Sequence, residues 1–430
     1  MSSQHLQGEE VSTRHNNQLS LRDVASSSAD KYIAPVFIAG LCICGMTYNQ
    51  GGRQLLPPLL VAIRREFSLT HLQSSALMTV FSIVYAIVQA LVGILSRLVG
   101  RRRILVFSTI TYAVVLMLTS LVHSYETLLL LQVAGALTAG VYFITGLSII
   151  AGLSSSSKHK GLIMGFYLSA TSLGAVLSSA MSGVALKYWN WRIAYLAWGL
   201  VGIPIGLLIL KYLPKDHNLV ENADSREHRP VLSEGAIGIT YVLLVSVLML
   251  DSIKAWGLNT FLCSFLSEAK GFTQASAAAL YGGIRAIGVL GQTTMGIMLD
   301  SIGKFETAIL TTGLGAFAVC LPLANLGKAF LFISLAIYGF VIPMAFGSVM
   351  ASIHDSTPPE SWDAVTGFAN ALSFVGASVG PAMVGRMIDS SGFNVAFLTT
   401  AGISALSCLV AYFAWMTNKA NSRLSRSSYE

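Results

Sequence analysis

The stretch GFYLSATSLGAVLSSAMSG at 165–183 returns as GFANALSFVGASVGPAMVG at 367–385, and that return decides the fold. Gly165-Phe166, Gly174-Ala175, Ala180-Met181 and Gly183 each reappear 202 residues later, as Gly367-Phe368, Gly376-Ala377, Ala382-Met383 and Gly385. Trp191-Arg-Ile-Ala-Tyr195 matches Phe393-Asn-Val-Ala-Phe397 at the same spacing. Gln89, Gly93-Ile94 and Gly100-Arg101 match Gln292, Gly296-Ile297 and Gly303-Lys304 at 203. One apolar motif recurs easily by chance; three in the same order at spacings of 202, 202 and 203 mark a duplicated chain.

Composition places both copies in a membrane. Of 430 residues 54% are hydrophobic and 11% charged, against roughly 25% charged in a soluble domain. So few charges cannot cover a water-soluble surface, and the apolar residues form long blocks instead of alternating strands or one-sided stripes. Windows of about 20 apolar residues give spans at 33–62, 71–98, 103–123, 126–153, 159–187 and 191–213, then 238–266, 273–299, 305–326, 328–353, 363–388 and 393–416. The expected fold is therefore an all-α membrane protein with twelve transmembrane helices in two six-helix bundles related as parallel repeats, one over 33–213 and one over 238–416. The polar run 214–237 is the loop joining them, 1–32 reads as a disordered cytoplasmic tail without a cleaved signal, and 417–430 as a second tail. Pro57-Pro58 is expected to interrupt the first span.

Lysine and arginine give the orientation. With both termini inside, seventeen fall in inner segments and seven in outer ones, the excess expected of cytoplasmic loops. Topology thus accounts for most of the net charge of +7 without a nucleic-acid partner. Cys42, Cys44, Cys263, Cys320 and Cys408 lie inside apolar blocks, where they act as small hydrophobes and suggest neither disulfides nor a metal.

The loop between spans two and three carries Gly93, Gly100, Arg101 and Arg102, which fall on the Gly-x-x-x-Asp-Arg-x-Gly-Arg-Arg signature of the major facilitator superfamily. Arg97 stands where the acid belongs, whereas the second half keeps it, as Gly296, Asp300, Gly303 and Lys304. The resemblance covers 33–416. Tyr48 to Arg53, Leu55-Leu-Pro-Pro58, Arg65-Glu-Phe67, Tyr85-Ala86 and Gln89 resemble its organic-anion branches, the anion:cation symporters and bacterial monocarboxylate-type carriers. It implies a monomeric multi-pass carrier of the bacterial inner membrane, with Gly93, Gly100, Arg101, Asp300, Gly303 and Lys304 in an inner gate.

Ionisable groups at membrane depth cost about 2.5–3.5 kcal/mol each on insertion scales, so each is a functional candidate. Arg53, Lys254 and Arg285 are expected to face a wet cavity and clamp one small anion, because the repeat offset sets Arg53 within one residue of Lys254. The plainer alternatives are an outer loop for Arg53 and a structural pair with Asp251 for Lys254. Asp251 is the carboxylate deepest in a span and the candidate for proton coupling. Gln89 and Gln292 hold equivalent places and are candidates to donate hydrogen bonds to the solute or to one another's helices. Gly161-x-x-x-Gly165 and Gly376-x-x-x-Gly380 are expected to be seams on which the bundles slide.

No glycine-rich run ends in Lys-Ser/Thr, so ATP drive has no support in this chain, and no nucleotide or other cofactor is implied. The eight histidines lie in tails, loops or span ends. A membrane-embedded transferase therefore lacks its catalytic cluster, and no catalytic residue is nominated. A transporter-like solute sensor is the other alternative. The expected function is secondary active transport of a carboxylate, sugar acid or organophosphate by alternating access, with proton symport or exchange as its drive.

Overall fold

A computed structural model describes residues 36–153, 160–213, 238–358 and 361–427. The expected tail 1–32 and joining loop 214–237 lie outside the described residues. Among the described residues all regular structure is helical. The first rod runs over 36–53, breaks at 54–55 and resumes as Leu56–Glu66 with proline in its first turn, where a missing N–H costs no hydrogen bond. The first half continues as His71–Val99, Arg101–Thr119, Tyr125–Ala139 with Tyr142–Leu153, Lys160–Tyr188 and Trp191–Tyr212. The second consists of Ile239–Ser264 extended by a π turn Phe265–Ala269, then Gln274–Ser301, Lys304–Cys320, Lys328–Val341 with Met344–Asp355, and Trp362–Ser427. That last stretch breaks at Gly392, whose φ of 81° suits glycine. Its final helix runs past 416 to Ser427, beyond the expected start of the tail.

The rods alternate in direction, so one end of the molecule, here the upper, carries Glu66, His71, Ala269 and the break at Gly392. The lower carries Gly100 and Gly303. Four upper helix starts are capped by side chains, Thr70 with Gln73 in a capping box, Ser124, Asn190 and Thr273, while Gly327 opens Lys328–Val341 without one. The lower turns at Gly100 and Gly303 use φ of 94° and 101° instead, a conformation that penalises any Cβ. The same glycine geometry recurring at the repeat spacing shows the duplication at the level of the backbone.

Nine stretches among the described residues are long and apolar enough to cross a membrane, and one of them, Ala364–Ala420, is the kinked pair. Gln274–Ser301 lies outside that set; it carries Arg285, Gln292, Thr293 and Thr294, which suit a helix beside an aqueous cleft. Large apolar side chains cover the outer surface, Ile87, Phe107, Leu130, Leu290, Ile333 and Phe317 among them. That surface would be insoluble in water and matches hydrocarbon.

Glycines set the packing within each half. Gly174 lies against the backbone of Thr47 and Gly51, and its counterpart Gly376 against Met249 and Ile253, each contact shifted by 202. The Gly376-x-x-x-Gly380 seam therefore joins two helices of one bundle, which corrects its reading as a surface on which the bundles slide. A Cβ on Gly380 would sit 2.3 Å from the Ile253 carbonyl oxygen and 3.0 Å from the Gly257 nitrogen. Gly380→Ala must push these helices apart and is expected to destabilise by about 1–3 kcal/mol, measured as a lowered melting temperature in detergent. The seam between the halves uses other glycines: Gly183 faces Ala275 and Ala278, and Gly385 faces the His71 carbonyl. Gly165, Gly296 and Gly367, in the lower parts of their helices, face open space.

Candidate functional site

A small cleft lined by Arg285, Gln292, Asn259 and Tyr338 of the second half meets the first half at Ser172. Arg285 and Gln292 are two turns apart on Gln274–Ser301, which sets both on one face. Arg285 is half-buried, Gln292 is exposed, and neither has a hydrogen-bond or ion-pair partner among the described residues. Tyr338 Oη donates to Asn259 Oδ1 at 3.4 Å, fixing the amide that lines the cleft. Ile284, Ile342 and Pro343 supply apolar walls. A small polar set on an apolar wall is the usual constitution of a solute site.

Arg53 ends the helix over 36–53, so it belongs to the span and not to an outer loop. It is only 7% exposed, with its guanidinium carbon 4.2 Å from the ring centre of Trp256 and 4.7 Å from that of Tyr85. Phe374 and Phe81 stand at 5.5 and 6.0 Å. Tyr85 and Phe81 come from the first half, Trp256 and Phe374 from the second, so this cation is stacked between the bundles. Such contacts are worth about 0.5–2 kcal/mol each. Its Nε and Nη2 are buried without a hydrogen-bond partner. Arg53 lines a small void inside the first half, with Thr119, Gln132 and Tyr195. It thus borders a separate cavity from the one Arg285 lines, although the two cations are within electrostatic reach of each other.

Lys254 does not join them. Its ammonium is fully buried, forms an ion pair with Asp251 one turn earlier, and donates to Ser404 Oγ at 3.3 Å. It rests against Gly315, where a Cβ would come within 3.0 Å of Nζ. Ser404 in turn donates to the Thr312 carbonyl at 2.8 Å. These partners lie on other helices of the second half, which corrects the expectation of a three-cation clamp. At the 202 offset Arg53 corresponds to Ala255, and one residue on a helix is a rotation of about 100°. Depth is shared, but direction is not. Asp251, held in the same pair, likewise stands away from the cleft.

Gln89 is half-buried and makes no hydrogen bond among the described residues, so it does not bridge to the equivalent helix. At the lower end each half is tied to itself. Arg102 donates to the Leu210 carbonyl, and Lys304 pairs with Asp355. Asp300 is exposed and Arg101 half-buried, neither with an ion pair among the described residues.

The upper end is shut by contacts between halves. Arg64 pairs with Glu268, and His71 lies between Glu268 and Asp389. Asp389 also accepts the backbone N–H groups of His71 at 2.9 Å and Leu72 at 2.8 Å, so a carboxylate of one half caps a helix of the other. Thr79 donates to the Ser378 carbonyl at 2.9 Å and Tyr281 to Gln54 Oε1 at 3.3 Å below this layer. Asn259 and the His71 cluster escaped the sequence reading: a lone amide has no pattern, and the three ionisable residues lie at helix ends up to 318 positions apart.

Two repeat-related helical bundles in a membrane, sealed at one end around a central cleft, define a membrane carrier. The chain belongs to the Major Facilitator Superfamily, whose model matches residues 37–321 and again 244–428; it is a transporter family and not a family of enzymes. Along the sequence the chain is 21% identical to the hexuronate transporter of Bacillus subtilis, over 87% of this chain and 92% of that one. It is 31% identical to a probable 4-methylmuconolactone transporter of Cupriavidus pinatubonensis, over 45% of each chain. It is 26% identical to the inner membrane transport protein YnfM of Escherichia coli, over 43% of this chain and 42% of that one. The matches to these last two span less than half of their length. Among solved structures, a bacterial homologue of the human lysosomal transporter Spinster, inward-facing and occupied, superposes with a TM-score of 0.79 at 16% identity, covering 89% of this chain and 97% of that one. The nucleoside transporter NupG superposes at 0.70 with 12% identity, over 89% of this chain and 99% of that one.

Proposed function

We propose that the chain is a secondary active transporter of a small organic anion, working by alternating access with proton symport or anion exchange as its drive. The observation that carries this reading is Arg285: a guanidinium without a carboxylate partner among the described residues, opening on a cleft between the two halves. Its planar fork suits a carboxylate or phosphate, while the Gln292 and Asn259 amides can donate to the remaining oxygens. Ser172 from the other half gives the bound solute a hold on both bundles. Arg53 adds a second positive charge from the side, which makes the cleft favour anions over neutral solutes. The names of the hexuronate and probable 4-methylmuconolactone carriers support an acidic or oxygen-rich solute.

The kinked first rod and Gln274–Ser301, together with the nine stretches and the break at Gly392, make twelve spans in two bundles over 33–213 and 238–416. The lysine and arginine excess puts the lower end and both termini in the cytoplasm. The conformation described is then closed outward and open inward.

Thermal denaturation of the purified protein against carboxylates, hexuronates and organophosphates tests the solute class. A cognate anion at a hundred times its Kd is expected to stabilise by about 2.7 kcal/mol, and the same anion to accumulate in proteoliposomes. Equal stabilisation by uncharged analogues would remove the anion reading, and binding without flux would make the protein a sensor.

A further inference from the structure

We propose that His71, Glu268 and Asp389 form a proton-binding site that is complete only while the outer end of the carrier is shut. The inference rests on the alternating-access reading above and concerns a different part of the molecule from the solute cleft. His71 Nδ1 lies 2.7 Å from Asp389 Oδ1, and Nε2 lies 3.1 Å from Glu268 Oε2. Ionised carboxylates only accept hydrogen bonds, and a neutral imidazole donates from one nitrogen alone. Two acceptors facing the two ring nitrogens therefore need one proton more than a neutral imidazole and two carboxylates possess.

The surrounding donors place that proton on the ring. Asp389 Oδ1 already accepts the His71 N–H and Oδ2 the Leu72 N–H, at the positive end of the helix His71–Val99. Glu268 is engaged at Oε1 by Arg64, from Leu56–Glu66. Phe261 and Phe393 flank the ring, with centres 5.7 and 5.6 Å from its own, and bring no charge. Arg386, three residues before Asp389, is exposed and has no ion pair among the described residues. Both carboxylates thus stay anionic, and the imidazolium bridges them.

Glu268 and Asp389 belong to the second half, while His71 and Arg64 belong to the first. Rocking the bundles open at this end must pull the ring from its acceptors and strip the helix start of its carboxylate cap. A proton from the outer solution joins Nδ1 or Nε2 as the end closes and returns to the same solution as it opens. It crosses no membrane, so this site sets the conformational balance without being the carried ion. Because the closed form binds the extra proton, closure is favoured as pH falls and lost as pH rises; the closed-to-open ratio changes by up to about tenfold per pH unit for one linked proton.

Spin labels on Glu126→Cys and Ser391→Cys, at the outer ends of opposite halves, in a full-length background lacking the native cysteines, measure that ratio by electron–electron distance without any solute. The short-distance population is expected to grow as the pH is lowered and to shrink as it is raised. His71→Gln, which keeps a polar side chain of similar length, and Glu268→Gln, which removes one acceptor, are each expected to flatten the response. A pH-independent ratio in the parent, or an unchanged slope in both variants, overturns the site. A single fixed distance under every condition would instead overturn alternating access.

Discussion

Arg285→Gln is expected to cut solute uptake by about 100-fold or more while the protein still reaches the membrane with its melting temperature nearly unchanged. The two halves of this expectation have one origin. Arg285 has no ion-pair partner among the described residues, so neutralising it orphans no buried charge and leaves the bundle as it was. The bound anion, in contrast, loses its principal counter-charge in a cleft partly shielded from water. Removing one member of such a charge-assisted pair costs about 2–5 kcal/mol, and 100-fold is about 2.7 kcal/mol on that scale. Arg285→Lys keeps the charge but loses the fork, and should fall between the two. Gln292→Ala, which removes a neutral donor worth about 0.5–1.5 kcal/mol, should lower uptake only about three- to tenfold. Initial rates in proteoliposomes, with melting curves on the same preparations, check the series. Undiminished uptake by Arg285→Gln would take away the charge on which anion recognition depends.

The architecture was legible because both signals behind it are long. Apolar blocks of about 20 residues and a repeat at 202 survive local irregularity, and the glycine contacts of Gly174 and Gly376 match at that spacing down to their backbone partners. The site was half legible for a geometric reason. Hydropathy reports the depth of a residue and says little about its direction round the helix. Arg285 and Gln292 were placed together because seven residues return to the same face. Lys254 was placed with Arg53 because the offset differs by one, and one residue turns a side chain away from the cleft. The aromatic stacking of Arg53 needs four rings from three helices, and the His71 cluster needs helix ends brought together by closure. Neither leaves a local pattern. The substitution of Arg97 for the acid kept at Asp300 was visible in the sequence; the Arg97 side chain lies outside what the structure describes.

Lys254 and Asp251 lead to the second large expected effect, which is on stability. Lys254→Met is expected to destabilise by about 3–5 kcal/mol, because it strands the Asp251 carboxylate at 3% exposure without its cation. Asp251→Leu should cost a similar amount by stranding the ammonium, whose remaining partner is the Ser404 hydroxyl. The double variant removes both charges and replaces them with side chains of comparable bulk. A buried pair exchanged for apolar residues is often neutral or stabilising, so the double variant should recover most or all of the loss. Its coupling energy in a double-mutant cycle should be of the same order as the single losses. Transport should recover with stability, since neither side chain lines the cleft. Melting temperatures and uptake measured on all four proteins separate this structural role from solute binding or proton coupling. A double variant that is as stable as the parent yet fails to transport would return Lys254 or Asp251 to the transport cycle. That outcome would require the helix Ile239–Ser264 to turn or shift during the transport cycle, because in the form described both groups face the interior of their own bundle.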